Sequence, residues 1–344
     1  ELWKMMNSWV FAGFAETYKR MGINFDHTYL ESETYLLGKD IIASGLERGV
    51  FTRREDGAVI CDLGKMGKKV VLRSDGTSVY ITQDIGTTQL KYNDYKPEKM
   101  VWVVGDEQNL HFQMLFEIMK RLGFEWAKDL FHLSYGMVNL PNGRMKSREG
   151  TVVDADDLFD EMASLAAAAC KERGGEELSE AELKERSEII GLGALKFMLL
   201  KFNAKTTITF DPAASLKFEG DTGPYVQYVA ARISSIARKA AERGIAQENI
   251  DWTLLDSVYE RELAVKLYFY GAALRQAAER NDCSGLVEYL LELSKAFNRF
   301  YRECPVLSAD NEALAAARLA LADAVRQVIA DGLKTLTIGV PEAM

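Results

Sequence analysis

The sequence predicts a chain of mixed class, with an α/β part followed by an all-α part. Between residues 57 and 135, short β-branched runs alternate with helical stretches near 78–93 and 109–122, as parallel βαβ layering requires. From about residue 155 onward, strand signals nearly vanish and Ala, Leu, Glu, Lys and Arg dominate, which is typical of a helical bundle. A length of 344 residues is enough for about two domains.

Composition excludes several classes of protein. The 42 Lys and Arg against 51 Asp and Glu give a formal net charge of -9, which argues against nucleic acid as a partner unless some face is locally basic. No apolar run approaches the roughly 18 residues that span a bilayer, and the start ELWKMMNSWV lacks the features of a signal peptide. We therefore expect a cytoplasmic protein with no membrane partner. Four cysteines without a CxxC pair and three scattered histidines predict neither disulfides nor a structural metal.

The elements can be assigned in order along the chain. Apolar positions recur at helical spacing from Leu2 to Met21 and predict a helix with one buried stripe. The predicted strands are 58–60, 70–72, 100–104 and 131–135. Helices are predicted at 156–173, 179–203, 223–243, 256–279, 284–302 and 310–331. Gly174-Gly175 and the stretch Thr206 to Gly223 break the helices, so we expect a domain boundary in one of them.

The segment VWVVGDEQNLH at 101–111 reads as a buried strand that ends at Gly105, followed by polar residues that open a helix. Ligand crevices of open α/β sheets lie beyond the carboxyl ends of strands, where helix N-termini present free N–H groups. Gly105, Asp106 and His111 are therefore candidates to face a nucleotide. The alternative is a helix start in which Asp106 caps and His111 packs.

A turn at Ser74-Asp75-Gly76-Thr77 precedes Tyr80 and Asp84, which fall four residues apart on one helix face. With Gln108 they offer a phenolic oxygen, a carboxylate and an amide oxygen. A guanidinium has five donors and no acceptor, so it is the ligand that such a pocket would best satisfy. A solvated Asp84 and a half-buried Tyr80 are the alternative.

The loop NGRMKSREGT at 142–151 carries three cations in five residues. Such cations can neutralise charge that develops on a transferring phosphate, although a charged loop can also be merely solvated. No Walker sequence GxxxxGK[ST] occurs.

Pro224 stands at a first helical position after capping residues, and Tyr225, Tyr228 and Arg232 then share one face at i, i+3 and i+7. Aromatic rings beside cations are surfaces on which unpaired bases stack. Core tyrosines at helical spacing are the alternative.

Together and in this order, these segments resemble a class I aminoacyl-tRNA synthetase, specifically an arginyl-tRNA synthetase, over nearly the whole chain. The resemblance lies in the DGT segment that runs to Asp84, in VVGDEQNLHF, in MKSREGTVV, in GDTGPYVQY and in the closing ARLAL to PEAM. It implies a partial Rossmann-like catalytic domain followed by a DALR-type anticodon-binding bundle. The implied divisions are 1–158 for the second part of the catalytic domain with a connective insertion, 159–214 for a helical linker, and 215–344 for the DALR domain.

By position, the resemblance implies that Tyr80, Asp84 and Gln108 bind the substrate arginine. Gly105, Asp106, His111 and Met145 would bind ATP with its Mg2+. The catalytic loop, which is of the KMSKS type, would comprise Arg144, Lys146, Ser147 and Arg148. The anticodon loop of tRNA(Arg) would meet Tyr225, Tyr228, Arg232 and the terminal Met344. The implied protein is a monomer.

Two departures from the family pattern matter. Ser147 stands where the second lysine of the loop usually falls, and no HIGH-like sequence occurs. We therefore expect a C-terminal fragment that is inactive alone. Two alternatives remain. One is a stand-alone paralogue that binds tRNA without catalysis; the other is a different class I synthetase such as the cysteinyl enzyme, against which the absence of zinc-ligand cysteines counts.

Overall fold

The computed structural model describes residues 1–139, 154–172, 178–245, 249–309 and 311–344. These residues divide into two compact units. One unit comprises Glu1–Asn24 with Val138–Met344, and the other comprises Phe25–Met137. None of the helices in the described part is both long and apolar enough to cross a membrane.

The elements of both units are named in chain order. The helices are α1 (Leu2–Met21), α2 (Glu31–Thr34), α3 (Gly38–Glu47), α4 (Tyr80–Tyr95), α5 (Asn109–Arg121), α6 (Ala155–Glu172), α7 (Glu180–Leu200), α8 (Pro212–Ser215), α9 (Gly223–Glu242), α10 (Val258–Tyr268), α11 (Tyr270–Arg280), α12 (Ser284–Glu303) and α13 (Glu312–Thr335). The strands are β1 (Thr52–Arg53), β2 (Val59–Asp62), β3 (Lys68–Leu72), β4 (Met100–Gly105), β5 (Leu130–Tyr135), β6 (Val138–Asn139) and β7 (Ile208–Thr209).

All four predicted strands are present, but the prediction of uniformly parallel layering was wrong. β1, β2 and β3 form an antiparallel sheet, in which Asp62 pairs with Lys68. Residues 63–67 separate β2 from β3, and a parallel crossover needs a dozen residues or more. The short connection therefore makes this pair a hairpin.

The second sheet of the same unit is parallel. β4 and β5 pair from Met100↔Leu130 to Gly105↔Tyr135, and α5 connects them. The buried face of α5, which includes Leu115 and Ile118, packs into the core of this unit. The crossover brings the end of β4 and the first turn of α5 to one edge of the sheet, where the candidate residues lie.

The N-terminal helix forms as predicted, but its predicted buried stripe was wrong. No residue of α1 is buried, and Trp3 and Trp9 are 62% and 64% exposed. Apolar residues at helical spacing identify a helix face that is suited to burial. Within the described residues, that face of α1 stays largely uncovered.

The helical half follows the prediction closely, except that the helix expected at 256–279 is divided at Phe269 into α10 and α11. α9, α12 and α13 contribute most of a core that includes Val229, Phe297 and Val325. A second core lies between α6 and α7 around Phe159 and Met162. α7 contributes to both cores.

Candidate functional site

Asp84 and His111 meet at the edge of the parallel sheet. Asp84 lies one turn into α4 and His111 lies in the first turn of α5. His111 Nε2 is 2.6 Å from Asp84 Oδ2, a geometry in which an N–H donates to a carboxylate. The imidazole is 18% exposed and the carboxylate 41% exposed. One oxygen of Asp84 is thus fixed by His111, and the group remains open to a ligand.

The other two residues predicted to share this pocket are placed differently. Tyr80 is the first residue of α4 and is 80% exposed. Gln108 precedes α5 and is exposed, and its side chain does not cap the helix. Among the described residues, neither polar side chain makes a hydrogen bond that would hold it to Asp84. The structure therefore joins Asp84 to His111 and leaves Tyr80 and Gln108 without a direct link to the pair.

The residues predicted to face a nucleotide lie at the end of β4. Gly105 ends the strand, and Asp106 begins a turn of 3-10 helix that leads into α5. Of the alternative in which Asp106 caps and His111 packs, only the second half is confirmed: the His111 ring packs edge-on against Phe112, with 5.5 Å between the ring centroids. No side chain caps α5, and His111 is bonded to Asp84. Uncapped N–H groups at a helix start are suited to polar and anionic ligands.

Lys91, on the same helix as Asp84, interacts with the negative charge of that carboxylate. Burial lowers the pKa of Lys91, and the negative charge of Asp84 opposes that shift. The Lys91 ammonium also lies over the Tyr29 ring, 5.5 Å from its centroid. The surroundings of Asp84 thus include a partly desolvated cation as well as His111.

The loop predicted to act on phosphate falls outside the described residues. Arg144, Met145, Lys146, Ser147 and Arg148 all belong to that segment, so their roles stay predictions. Within the described residues, no group of three or more His, Cys, Asp or Glu side chains is arranged to hold a metal ion.

The residues predicted to bind tRNA form a connected cluster on the helical bundle. Tyr225, Tyr228 and Arg232 of α9 are all partly exposed. The Arg232 guanidinium lies over the Tyr228 ring at 4.6 Å, and its Nη2 donates to the Tyr228 hydroxyl at 2.9 Å. Val226 and Val229, between them, face the core. One helix therefore has a buried apolar face and an accessible face of rings and a cation.

Two residues of α12 complete this cluster. The Asn298 amide donates to the Tyr225 hydroxyl at 2.8 Å and accepts from Arg232 at 3.0 Å. Arg232 also lies 5.4 Å from the centroid of the Tyr301 ring, which is 41% exposed. We call Tyr225, Tyr228, Arg232, Asn298 and Tyr301 the tyrosine cluster.

Met344 is not part of the tyrosine cluster. Its side chain packs against the core between α6 and α7, whereas Tyr225 packs against the core of the bundle. The structure therefore places the terminal methionine in a different environment from the tyrosines with which it was grouped.

Three exposed or polar residues of these sites were not singled out by sequence reasoning. Asn298 and Tyr301 lie on α12, which carried no motif; their spacing of three could have marked them as one face. Tyr135 is 47% exposed and pairs with Gly105 across the parallel sheet. Its position at the end of a predicted strand was the signal available.

A cavity of about 520 Å³ lies beside the tyrosine cluster. Lys295, one helical turn from Asn298, lines it together with Lys201 and Asp221. Asp221 is 3.0 Å from Lys295 Nζ and 3.7 Å from Lys201 Nζ. The hydrogen bond from Lys295 and the charge of Lys201 lower the pKa of Asp221. These charges are paired with one another in the described structure.

Comparison with known proteins assigns a family to each part of the chain. Residues 1–211 match the model of the class I tRNA synthetase (R) catalytic domain, and residues 226–344 match that of the DALR anticodon binding domain. The chain is 48% identical over 347 residues to an arginine–tRNA ligase of Bacteroides fragilis and 49% identical over 350 residues to one of Treponema denticola. All of this chain is covered in both matches, with 58% and 59% of the relatives.

Solved structures show the same fold. The arginyl-tRNA synthetase of Thermus thermophilus is similar with a TM-score of 0.89 and 27% identity, over 100% of this chain and 64% of that one. A methionyl-tRNA synthetase from Mycobacterium tuberculosis shares the fold alone, with a TM-score of 0.68 and 10% identity over 96% of this chain and 77% of that one. The catalytic-domain match, the DALR match and the near-half identity to arginine–tRNA ligases lead to one assignment. The chain belongs to the arginyl-tRNA synthetase family of class I enzymes.

Proposed function

We propose that this chain is the part of an arginine–tRNA ligase that selects arginine and binds the anticodon arm of tRNA(Arg). The whole enzyme would activate arginine with ATP, supplied as its magnesium complex, and transfer it to tRNA in the cytoplasm. The chain spans about three fifths of the relatives it matches, so the complete reaction belongs to the proposal.

The contact between Asp84 and His111 carries the proposal. It joins a residue proposed for arginine to a residue proposed for ATP, across 27 positions of sequence. The amino acid and the nucleotide must lie side by side for the arginine carboxylate to attack the α-phosphate. A pair of side chains that touch, one on each ligand, supports that arrangement.

The chemistry of Asp84 suits a guanidinium. His111 donates to one oxygen, and the 41% exposure of the carboxylate leaves acceptor positions open. A guanidinium donates in a planar fork that matches a carboxylate. Tyr80 and Gln108, whose polar atoms lack partners within the described residues, would close around the remaining N–H groups when arginine binds.

The tyrosine cluster supports the tRNA part of the proposal. Hydrogen bonds with Arg232 and Asn298 hold the Tyr228 and Tyr225 rings, and the third ring, Tyr301, lies 5.4 Å from the Arg232 guanidinium. Rings that are already ordered lose little conformational freedom when a base stacks on them. The matched DALR range includes Tyr228 and Arg232. The net charge of -9 opposes tRNA binding over the chain as a whole, so we assign the contact to this local cluster.

Substitution of Asp84 in a full-length arginine–tRNA ligase that contains this segment tests the proposal. We expect Asp84→Asn to raise the KM for arginine about a hundredfold, since a charged pair that loses one partner costs about 3 kcal/mol. Asp94→Asn is the matched control, because Asp94 lies on the same helix and, among the residues that the structure describes, accepts a hydrogen bond from Tyr29 rather than from His111. An equal KM in the two variants would refute the role of Asp84.

A further inference from the structure

The carboxyl-terminal tail, residues 336–344, packs against both cores of its unit. Leu336 and Ile338 are buried in the core of the bundle, whereas Met344 packs against the core between α6 and α7. Met21, the last residue of α1, packs against that second core as well. The end of α1 and the tail therefore meet in one region of the unit.

Lys196 of α7 lies between the ends of two helices. Its ammonium donates to the carbonyl of Met21, which ends α1, at 2.6 Å. It also donates at 2.6 Å to the carbonyl of Thr337, which follows the end of α13. Burial lowers the pKa of Lys196. A cation at the C-termini of two helices interacts favourably with both helix dipoles and satisfies carbonyls that lack partners within their helices.

Both helix ends adopt the left-handed backbone region, but with different residues. Gly22 follows α1 in the left-handed region, at φ 70, where glycine is at ease. Thr337 takes the equivalent position after α13 at φ 58, and a β-branched residue is strained there. Such strain persists when surrounding contacts hold the segment, and the bond from Lys196 is one such contact.

Gln227 holds the same tail from a second helix. It is fully buried in α9, and its amide donates to Gly339 at 2.7 Å and to Ile189 of α7 at 3.2 Å. Gln227 lies between Tyr225 and Tyr228 in sequence but on the opposite face of α9. The tail is thus fixed to α7 by Lys196 and to α9 by Gln227.

We infer that Lys196 is a positioning residue that ties the DALR part of the chain to the catalytic part through the ends of α13 and α1. α1 and Lys196 lie within the matched catalytic range, and α13 lies within the matched DALR range. Loosening of the tail then loosens the last turn of α1, and the reverse holds too. This link does not depend on the proposed ligands.

Hydrogen–deuterium exchange of the purified 344-residue chain tests the link. Lys196→Met keeps the length of the side chain and removes both hydrogen bonds. We expect exchange about tenfold faster in peptides covering 18–24 and 334–340, and near wild-type exchange in Lys196→Arg, which restores a donor. Lys201→Met is the control, because Lys201 directly follows α7 and its ammonium donates to the carbonyl of Asp221; its loss should leave both peptides unchanged. Faster exchange in only one peptide, or in neither, would overturn the link.

Two truncated chains test whether loss of the tail loosens the end of α1. A chain ending at Leu336 loses the Thr337 carbonyl, and we expect peptide 18–24 to exchange about tenfold faster than in wild type. A chain ending at Val340 keeps that carbonyl and the buried Ile338 and loses Met344, so it controls for the lost packing of Met344. Equal exchange of peptide 18–24 in the two truncated chains would overturn the inference, and this comparison decides even if Lys196→Met fails to fold.

Discussion

The edge of the parallel sheet and the tyrosine cluster hold their polar groups in different ways. At the sheet edge, Tyr80 and Gln108 are exposed and make no hydrogen bond within the described residues, and only Asp84 and His111 are joined. In the tyrosine cluster, Arg232 and Asn298 connect the rings of two helices. The first region thus has two candidate side chains without partners among the described residues, whereas the second is connected by hydrogen bonds of its own.

The bundle that carries the tyrosine cluster also contains a buried ion pair, and the largest expected effect follows from breaking it. Glu260 is fully buried and pairs with Arg318 at 2.7 Å. Arg318→Met would leave a buried carboxylate without its cation, at a cost of about 3–5 kcal/mol in the free energy of unfolding. Denaturant unfolding of the variant measures this loss.

The control for that variant is Arg302→Met. Arg302 is 73% exposed and pairs with its neighbour Glu303, so its loss should leave the unfolding midpoint unchanged. Equal destabilisation by the two substitutions would show that burial does not make the Glu260–Arg318 pair more important for stability than an exposed pair.

The tyrosine cluster itself is probed by Tyr228→Ala. Loss of one stacking ring should weaken tRNA(Arg) binding by about 1–3 kcal/mol, or about 5- to 150-fold in Kd. Tyr268→Ala is the matched control, because Tyr268 is 82% exposed on the same bundle but outside the cluster. Filter binding at one fixed salt concentration measures both. Wild-type affinity for tRNA(Arg) in a folded Tyr228→Ala chain would favour the alternative in which these tyrosines only pack against the core.

The smallest expected effect concerns the charges beside the tyrosine cluster. The pKa of Asp221 is lowered by the hydrogen bond from Lys295 and by the charge of Lys201. Its contribution to stability is therefore present above its unfolded value of 3.8 and is lost as pH falls through the lower folded value. Because the side chain is 45% exposed, solvent screening limits that contribution to at most about 1 kcal/mol.

Unfolding of the wild-type chain and of Asp221→Asn between about pH 2 and 6 checks this sign. The difference between the two unfolding free energies should be constant at the upper end and shrink toward zero at the lower end. A difference that grows with acidity would contradict the assigned direction.

The two regions also differ in how much of them could be predicted from sequence. Tyr225, Tyr228 and Arg232 lie on one helix, so the helical period alone places them on one face. The contact of Asp84 with His111 joins two helices, and no periodicity encodes it. Asn298 and Tyr301 were missed for the same reason, since their partners lie 66 or more positions earlier on another helix.

The fold shows the same limit. Apart from the division at Phe269, helix boundaries agreed closely with the prediction, because the apolar period and the caps are local signals, such as Ser179 capping α7 through Glu182. The predicted direction of pairing was wrong for β2 and β3. The strand pattern does not encode direction, and the segment that connects these strands is too short for a parallel crossover. The exposed face of α1 could not be predicted, because a period identifies an apolar face without showing what covers it.

ATP–pyrophosphate exchange by the purified 344-residue chain tests the contrast between the two regions most directly. Negative charge accumulates on the phosphates in the transition state, and these 344 residues contain no HIGH-like sequence to meet it beside the loop from Arg144 to Arg148. Loss of one preorganised donor typically costs about 10²- to 10³-fold in rate. With arginine, magnesium, ATP and tRNA(Arg) present, we predict that the chain binds the tRNA and shows exchange at least a hundredfold below that of a full-length arginine–tRNA ligase. Exchange within tenfold of the full-length enzyme would contradict the account.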